Sequence, residues 1–275
     1  MIGTGEIGAP MAACVVDAGI EMSVFDVSAG AMAPLVERGA RAATSPADAA
    51  RGADVVGIMV RNDAQLLAVT TGEGGVLETL AAGSVIAVQS TVLPDTVEQV
   101  ARVSAGQDVG VIDAPVTGGS PNAKTCTLVT MVGGSDVDFK RALPFLEAMS
   151  RRVVHCGPRG MGAVAKLCNN LVGYLSYEAA YEANLLARHA GLDTDKLDEI
   201  LSGIGNITDN MRGYLGLIRG EAPPRETLAR ITELAEKDLG HALEVAQQVG
   251  IELPGATHVR SQMARVYGYA VESEA

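Results

Sequence analysis

Apolar runs of strand length alternate with helical stretches along residues 1–159. Residues 7–19 read as a helix closed by a glycine, 21–26 as a strand, and 28–38 as a second helix that again ends at a glycine. A short strand over 41–43 precedes a brief helix from Ser45, with Pro46 in its first turn. The runs 53–60 (ADVVGIMV) and 84–89 (SVIAVQ) are apolar on both faces, as parallel strands covered on both sides are. Residues 94–103 are predicted helical, 109–114 and 127–132 strands, 136–149 a helix, and 152–156 a last strand. This alternation predicts an α/β Rossmann-type doubly wound domain.

From residue 160 the texture changes. Residues 163–190 form one long helical stretch stopped at Gly191, Asp193 or Thr194 caps a further helix to about Leu201, and Pro223 and Pro224 precede a helix over 225–248. The pattern predicts two domains: a Rossmann-type domain over 1–159 and an all-α domain over 160–275.

Gly3, Gly5 and Gly8 spell G-x-G-x-x-G where the first helix opens, and Asp26 ends the next strand 18 residues after Gly8. That context makes the glycines a dinucleotide fingerprint. The first permits a tight turn, the second lets the backbone approach a pyrophosphate, and the third lets helix and strand pack closely. The site so predicted comprises Gly3, Gly5, Glu6, Ile7 and Gly8, with the helix N-terminus turned to the phosphates. Only Met1 and Ile2 precede it, so the first strand is expected to be truncated. A carboxylate at Asp26 accepts bonds from ribose hydroxyls and repels a 2′-phosphate. No Arg follows until Arg38, so NAD is expected rather than NADP.

The formal charge of −12 repels phosphate backbones and argues against a nucleic-acid partner. No apolar run reaches membrane-spanning length, and no signal-type stretch opens the chain, so a cytoplasmic location is expected. Cys14, Cys126, Cys156 and Cys168 show no metal-ligand spacing and read as reduced cysteines; the four histidines are unpaired, and no metal is expected.

Two later stretches are more specific: Asp113-Ala-Pro-Val-Thr-Gly-Gly119, followed by Met131-Val-Gly-Gly134, and Gly160-Met-Gly-Ala-Val-Ala-Lys-Leu-Cys-Asn-Asn170. With the N-terminal fingerprint they resemble, in order and over essentially the whole chain, the β-hydroxyacid dehydrogenase family typified by 3-hydroxyisobutyrate dehydrogenase. Lys166 and Asn170 stand four apart on a predicted helix and so share a face. Oxidising an alcohol by hydride transfer needs a group that takes the hydroxyl proton. A cationic nicotinamide ring nearby disfavours the charged form of a lysine. The resemblance assigns that proton to Lys166 and a substrate oxygen to Asn170. It assigns the substrate carboxylate to Thr117, Gly118 and Gly119, where Thr117 stands for the family's usual serine. It also places Val60, Arg61, Asn62 and Thr91 along the cofactor, and Lys237 of a Lys-Asp pair against substrate and cofactor.

Between Gly119 and Thr127 the chain departs from the family's glycine-rich pattern, with Pro121, Asn122 and Cys126. The implied activity is interconversion of a small β-hydroxy acid and its semialdehyde or keto acid. An imine reductase of the same architecture and a non-catalytic NAD(P)-binding sensor or scaffold are the alternatives. A homodimer or homotetramer, joined through the helical domain, is the expected assembly.

Overall fold

A computed structural model of the chain describes residues 1–220 and 223–268. Its elements run α1 (Gly8–Asp17), β1 (Ser23–Val24), α2 (Ala29–Glu37), β2 (Arg41–Ala42), α3 (Pro46–Ala50), β3 (Val55–Ile58), α4 (Asp63–Thr71), β4 (Val85–Val88) and α5 (Pro94–Ser104). They continue with β5 (Gly110–Asp113), β6 (Val116–Thr117), α6 (Gly119–Lys124), β7 (Leu128–Gly133), α7 (Asp136–Glu147) and β8 (Ser150–Gly157). Then come α8 (Met161–His189), α9 (Thr194–Gly203), α10 (Asp209–Arg219), α11 (Arg225–Gln248) and α12 (Pro254–Val266). Two compact units divide after Lys166.

In the first unit β3, β4 and β5 pair in parallel, as their two-sided apolar runs require, and β1 pairs in parallel with β2. Ile2 joins the two groups: it bridges Phe25 on one side and Ile58 on the other. Met1 and Ile2 thus stand where the first strand of the fold belongs. The strand expected over 21–26 narrows to Ser23–Val24, with Phe25 held only by the bridge. Beyond β5 the direction reverses: β7 runs antiparallel to both β5 and β6, and β8 parallel to β7. The link from β6 to β7 holds only the short α6, too little chain for the crossover that parallel pairing needs.

Side chains alternate across the sheet. Val85 and Ala87 point into a core with Met11 and Val15 of α1 and Phe145 and Leu146 of α7. Ile86 and Val88 point into a second core with Leu66 of α4 and Val97 and Val100 of α5.

The second unit is helical. Asp193 caps α9, accepting from the Asp195 N–H at 2.8 Å, and Thr208 caps α10, accepting from the Met211 N–H at 3.2 Å. Its core gathers Ala180, Leu215, Leu239, Val259 and Met263. Tyr177 stacks on Tyr214 with centroids 4.8 Å apart, and Tyr174 and Tyr267 meet Tyr177 edge-on. Among the described residues no helix is long and apolar enough to cross a membrane.

One expectation is corrected. Cys14 and Cys126 are not reduced: they form a disulfide with Cα atoms 5.8 Å apart, and Cys156 and Cys168 are the free thiols. The two paired positions are 112 residues apart, so no local spacing could reveal them.

Candidate active site

The chain turns from Ile2 into α1 through three glycines with distinct duties. Gly3 has φ +85°, and a Cβ there would lie 2.0 Å from the Met59 carbonyl oxygen, so only glycine fits the turn. A Cβ on Gly8 would lie 2.1 Å from the Gly3 oxygen; its absence lets α1 pack close. Gly5 differs, because a Cβ there would meet nothing within 4 Å. Gly5 and Glu6 are both exposed, and Ile7 supplies no side-chain cap to α1. This is a cradle with unshielded backbone at a helix N-terminus, which fits a dinucleotide pyrophosphate.

Asp26 fastens the cradle from the side. Its Oδ2 accepts from the Thr4 N–H at 2.7 Å and its Oδ1 from the Ser28 N–H at 2.9 Å. The nearby arginines are engaged elsewhere: Arg38 pairs with Asp17 at 2.9 Å, and Arg41 with Asp48 at 3.0 Å.

At the carboxyl ends of β3 and β4, the Val60 N–H donates to Ser90 Oγ at 2.7 Å, which ties the two strand ends together. Thr91 follows directly. The Arg61 N–H donates to Gln65 Oε1 at 3.0 Å, and Asn62 caps α4, accepting from the Gln65 N–H at 2.9 Å. The Asn62 amide oxygen is therefore committed to the helix start. Ligands lie along such strand ends in this topology.

Thr117 ends β6, and Gly118 and Gly119 leave it with φ of +121° and +66°. A Cβ on Gly118 would sit 2.6 Å from Asn122 Nδ2, so Asn122 packs beneath the turn. Residues 119–124 form α6, in the stretch that departs from the family's glycine-rich pattern.

Behind this turn stands Asp113, 1% exposed at the end of β5. Its Oδ1 accepts from the Gly160 N–H at 2.7 Å and its Oδ2 from the Ala163 N–H at 2.6 Å, which caps α8. Burial pushes the Asp113 carboxyl up, and the N–H groups it accepts oppose that shift. Gly162, in the first turn of α8, differs from Gly5 in what surrounds it. A Cβ on Gly162 would lie 2.5 Å from the Met131 oxygen and 2.8 Å from the Asp113 backbone oxygen, so the residue is small because α8 begins hard against β5 and β7.

Lys166 follows on α8, half-buried, with Asn170 and Tyr174 at the next two four-residue steps. Asn170 Nδ2 donates to Asp238 Oδ2 at 2.8 Å, and the Tyr174 hydroxyl donates to the same oxygen at 3.3 Å. Lys237 pairs with Asp238 Oδ1 at 2.9 Å. Asp238 is 3% exposed, so one buried carboxylate orients an amide, a phenol and an ammonium. Burial, with the Asp238 charge behind it, drives the Tyr174 hydroxyl well above its ordinary value, so it stays a donor.

Two family models divide the chain. Residues 1–157 match the NAD binding domain of 6-phosphogluconate dehydrogenase, and 160–273 match the model described as NAD-binding of NADP-dependent 3-hydroxyisobutyrate dehydrogenase. A 3-hydroxyisobutyrate dehydrogenase of Pseudomonas aeruginosa is 36% identical over 92% of this chain and 86% of its own. The chain belongs to the β-hydroxyacid dehydrogenase family.

Within that family the likeness is not confined to one activity. An NAD-dependent L-serine dehydrogenase of Pseudomonas aeruginosa is 34% identical over 92% of this chain and 86% of its own. The solved Mycobacterium tuberculosis 3-hydroxyisobutyrate dehydrogenase with L-serine superposes with a TM-score of 0.82, at 29% identity, over 97% of this chain and 92% of that one. The β-hydroxyacid dehydrogenase assignment agrees with the NAD(P)-binding cradle that the glycines form at the start of α1. The sequence did not single out Asp113, Tyr174 and Asp238, whose hydrogen bonds hold the start of α8 and the Asn170 amide. The four-residue rhythm from Lys166 through Asn170 to Tyr174 was the available signal for one of them.

Proposed function

We propose that this chain oxidises the CH–OH group of a small β-hydroxy acid, 3-hydroxyisobutyrate or an analogue such as L-serine, using NAD rather than NADP. The observation that carries the reaction is the pairing of Lys166 with Asn170 on one helix whose start Asp113 fixes. Thr117 and the N–H groups of Gly118 and Gly119 receive the substrate carboxylate. One N–H of the Asn170 amide is held by Asp238, and the other is offered to a substrate oxygen. Lys166 Nζ takes the hydroxyl proton, and in the reverse direction returns it to the carbonyl oxygen. The nicotinamide, when bound, supplies the hydride chemistry. Lys237 lends its charge beside Asp238.

The choice of NAD is supported by Asp26 with Arg38 and Arg41 already engaged, which leaves a carboxylate for ribose hydroxyls and no cation beside it from these two. Val172 and Leu186, each 71% exposed on α8, support assembly of copies through the helical unit. The cytoplasm is the compartment this reading implies.

The test is NADH formation from 3-hydroxyisobutyrate, 3-hydroxypropionate, glycerate, 4-hydroxybutyrate and L-serine, with NADP in parallel. One acid turning over faster with NAD is the expected result. A faster rate with NADP would overturn the role given to Asp26. Absence of turnover on every acid, with NAD still bound, would overturn the reaction.

A further inference from the structure

The disulfide joins two segments that both bear on the candidate site. Cys14 lies on α1, the helix opened by the glycine cradle, and is buried. Cys126 ends the segment that begins at Gly118. It is partly exposed and is one of two non-glycine residues among those described with positive φ, at +57°. A side chain held in the left-handed region is strained. The linkage continues into the turn. The Thr127 N–H donates to the Asn122 carbonyl at 2.9 Å, and the Asn122 side chain lies under Gly118. Ala123 of α6, fully buried, holds its carbonyl oxygen 3.4 Å from Cys14 Sγ.

We propose that Cys14 and Cys126 are a reversible thiol–disulfide pair that sets the order of residues 118–127. Reduction starts at Cys126, the more exposed residue of the pair. The thiolate of a low-molecular-weight thiol such as glutathione attacks Cys126 Sγ, a mixed disulfide forms, and Cys14 leaves as thiolate and takes a proton. A second thiol then attacks the small-molecule sulfur of the mixed disulfide, releasing Cys126 and one molecule of oxidised glutathione. Two small thiols are oxidised and one protein disulfide is reduced; oxidation by glutathione disulfide is the same exchange reversed. Once released, Cys126 leaves its left-handed conformation, and Asn122 loses its fixed seat under Gly118. The predicted consequence for catalysis is weaker grip on the substrate carboxylate, which rests on the reading of Thr117 to Gly119 given above.

The experiment equilibrates the full chain with glutathione buffers from reducing to oxidising and follows three readouts. Thiol counting with peptide mapping is expected to show Cys14 and Cys126 linked at the oxidising end, with Cys156 and the exposed Cys168 outside any protein disulfide throughout. Burial raises the Cys156 thiol above its ordinary value, so it reacts slowly. Hydrogen exchange across 118–127 is expected to quicken by about tenfold or more on reduction. KM for the hydroxy acid is expected to rise roughly threefold to tenfold. Cys126→Ala should match the reduced wild type in exchange, and should melt about 5 °C or more below the oxidised protein. Four free thiols under glutathione disulfide, or identical exchange in both forms, would overturn the pair. Exchange that responds while KM does not would uphold the pair and remove the carboxylate reading.

Discussion

Two glycine-bearing turns begin the helices on which this site depends, and they use glycine for opposite ends. At α1 the turn holds Gly5, whose missing side chain leaves open space; at α8 it holds Gly162, whose missing side chain is filled by the oxygens of Met131 and Asp113. Both read alike as letters. The first leaves backbone bare for a ligand, and the second brings a helix against a sheet so that a buried carboxylate can cap it. What distinguishes them is what a Cβ would touch, a property of strands distant in the chain.

The contrast can be broken most forcefully at the residue that the α8 turn supports. Lys166→Ala should lower kcat/KM by about 10²- to 10⁴-fold, the usual range for losing a general acid or base. NAD binding and melting temperature should stay near wild type. A retained rate would make the capped helix start mere scaffolding. Next is Gly162→Ala, which forces a methyl against two carbonyl oxygens. We expect a loss of about 2 kcal/mol in stability, read by denaturant titration, with cofactor affinity of the folded fraction unchanged. The smallest effect belongs to Gly5→Ala. Its melting temperature should not move, while calorimetry should show NAD bound roughly tenfold more weakly. If Gly5→Ala unfolds the protein and Gly162→Ala weakens NAD, the two turns have been assigned the wrong way round.

Legibility in the sequence followed the range of the interaction. Strands β3 to β5 were readable because being covered on both faces leaves an uninterrupted apolar run. The glycine fingerprint was readable because its geometry is complete within eight residues, apart from Asp26. Helices α10 and α12 were not marked out, nor was β6, a strand of two residues whose pairing lies across the chain. The reversal at β7 depends on the shortness of the link after β6, which only becomes evident once α6 is seen. Asp113 stood inside a quoted motif but looked like the end of a strand, since its partners lie 47 and 50 residues onward. Asp238 read as half of a charged pair, whereas its second partner, Asn170, comes from another helix. The cystine was hidden for the same reason.

The tyrosine cluster gives the chain an optical asymmetry. There is no tryptophan, and all six tyrosines follow residue 166, whereas the three phenylalanines precede it. Ultraviolet-excited emission from the polypeptide therefore originates almost wholly in the helical unit, from rings stacked at 4.8 Å and edge-on around Tyr177. The nucleotide-binding unit is spectroscopically dark. Melting followed by tyrosine emission will report the helices alone, and a bound reduced nicotinamide will fluoresce against a background free of indole.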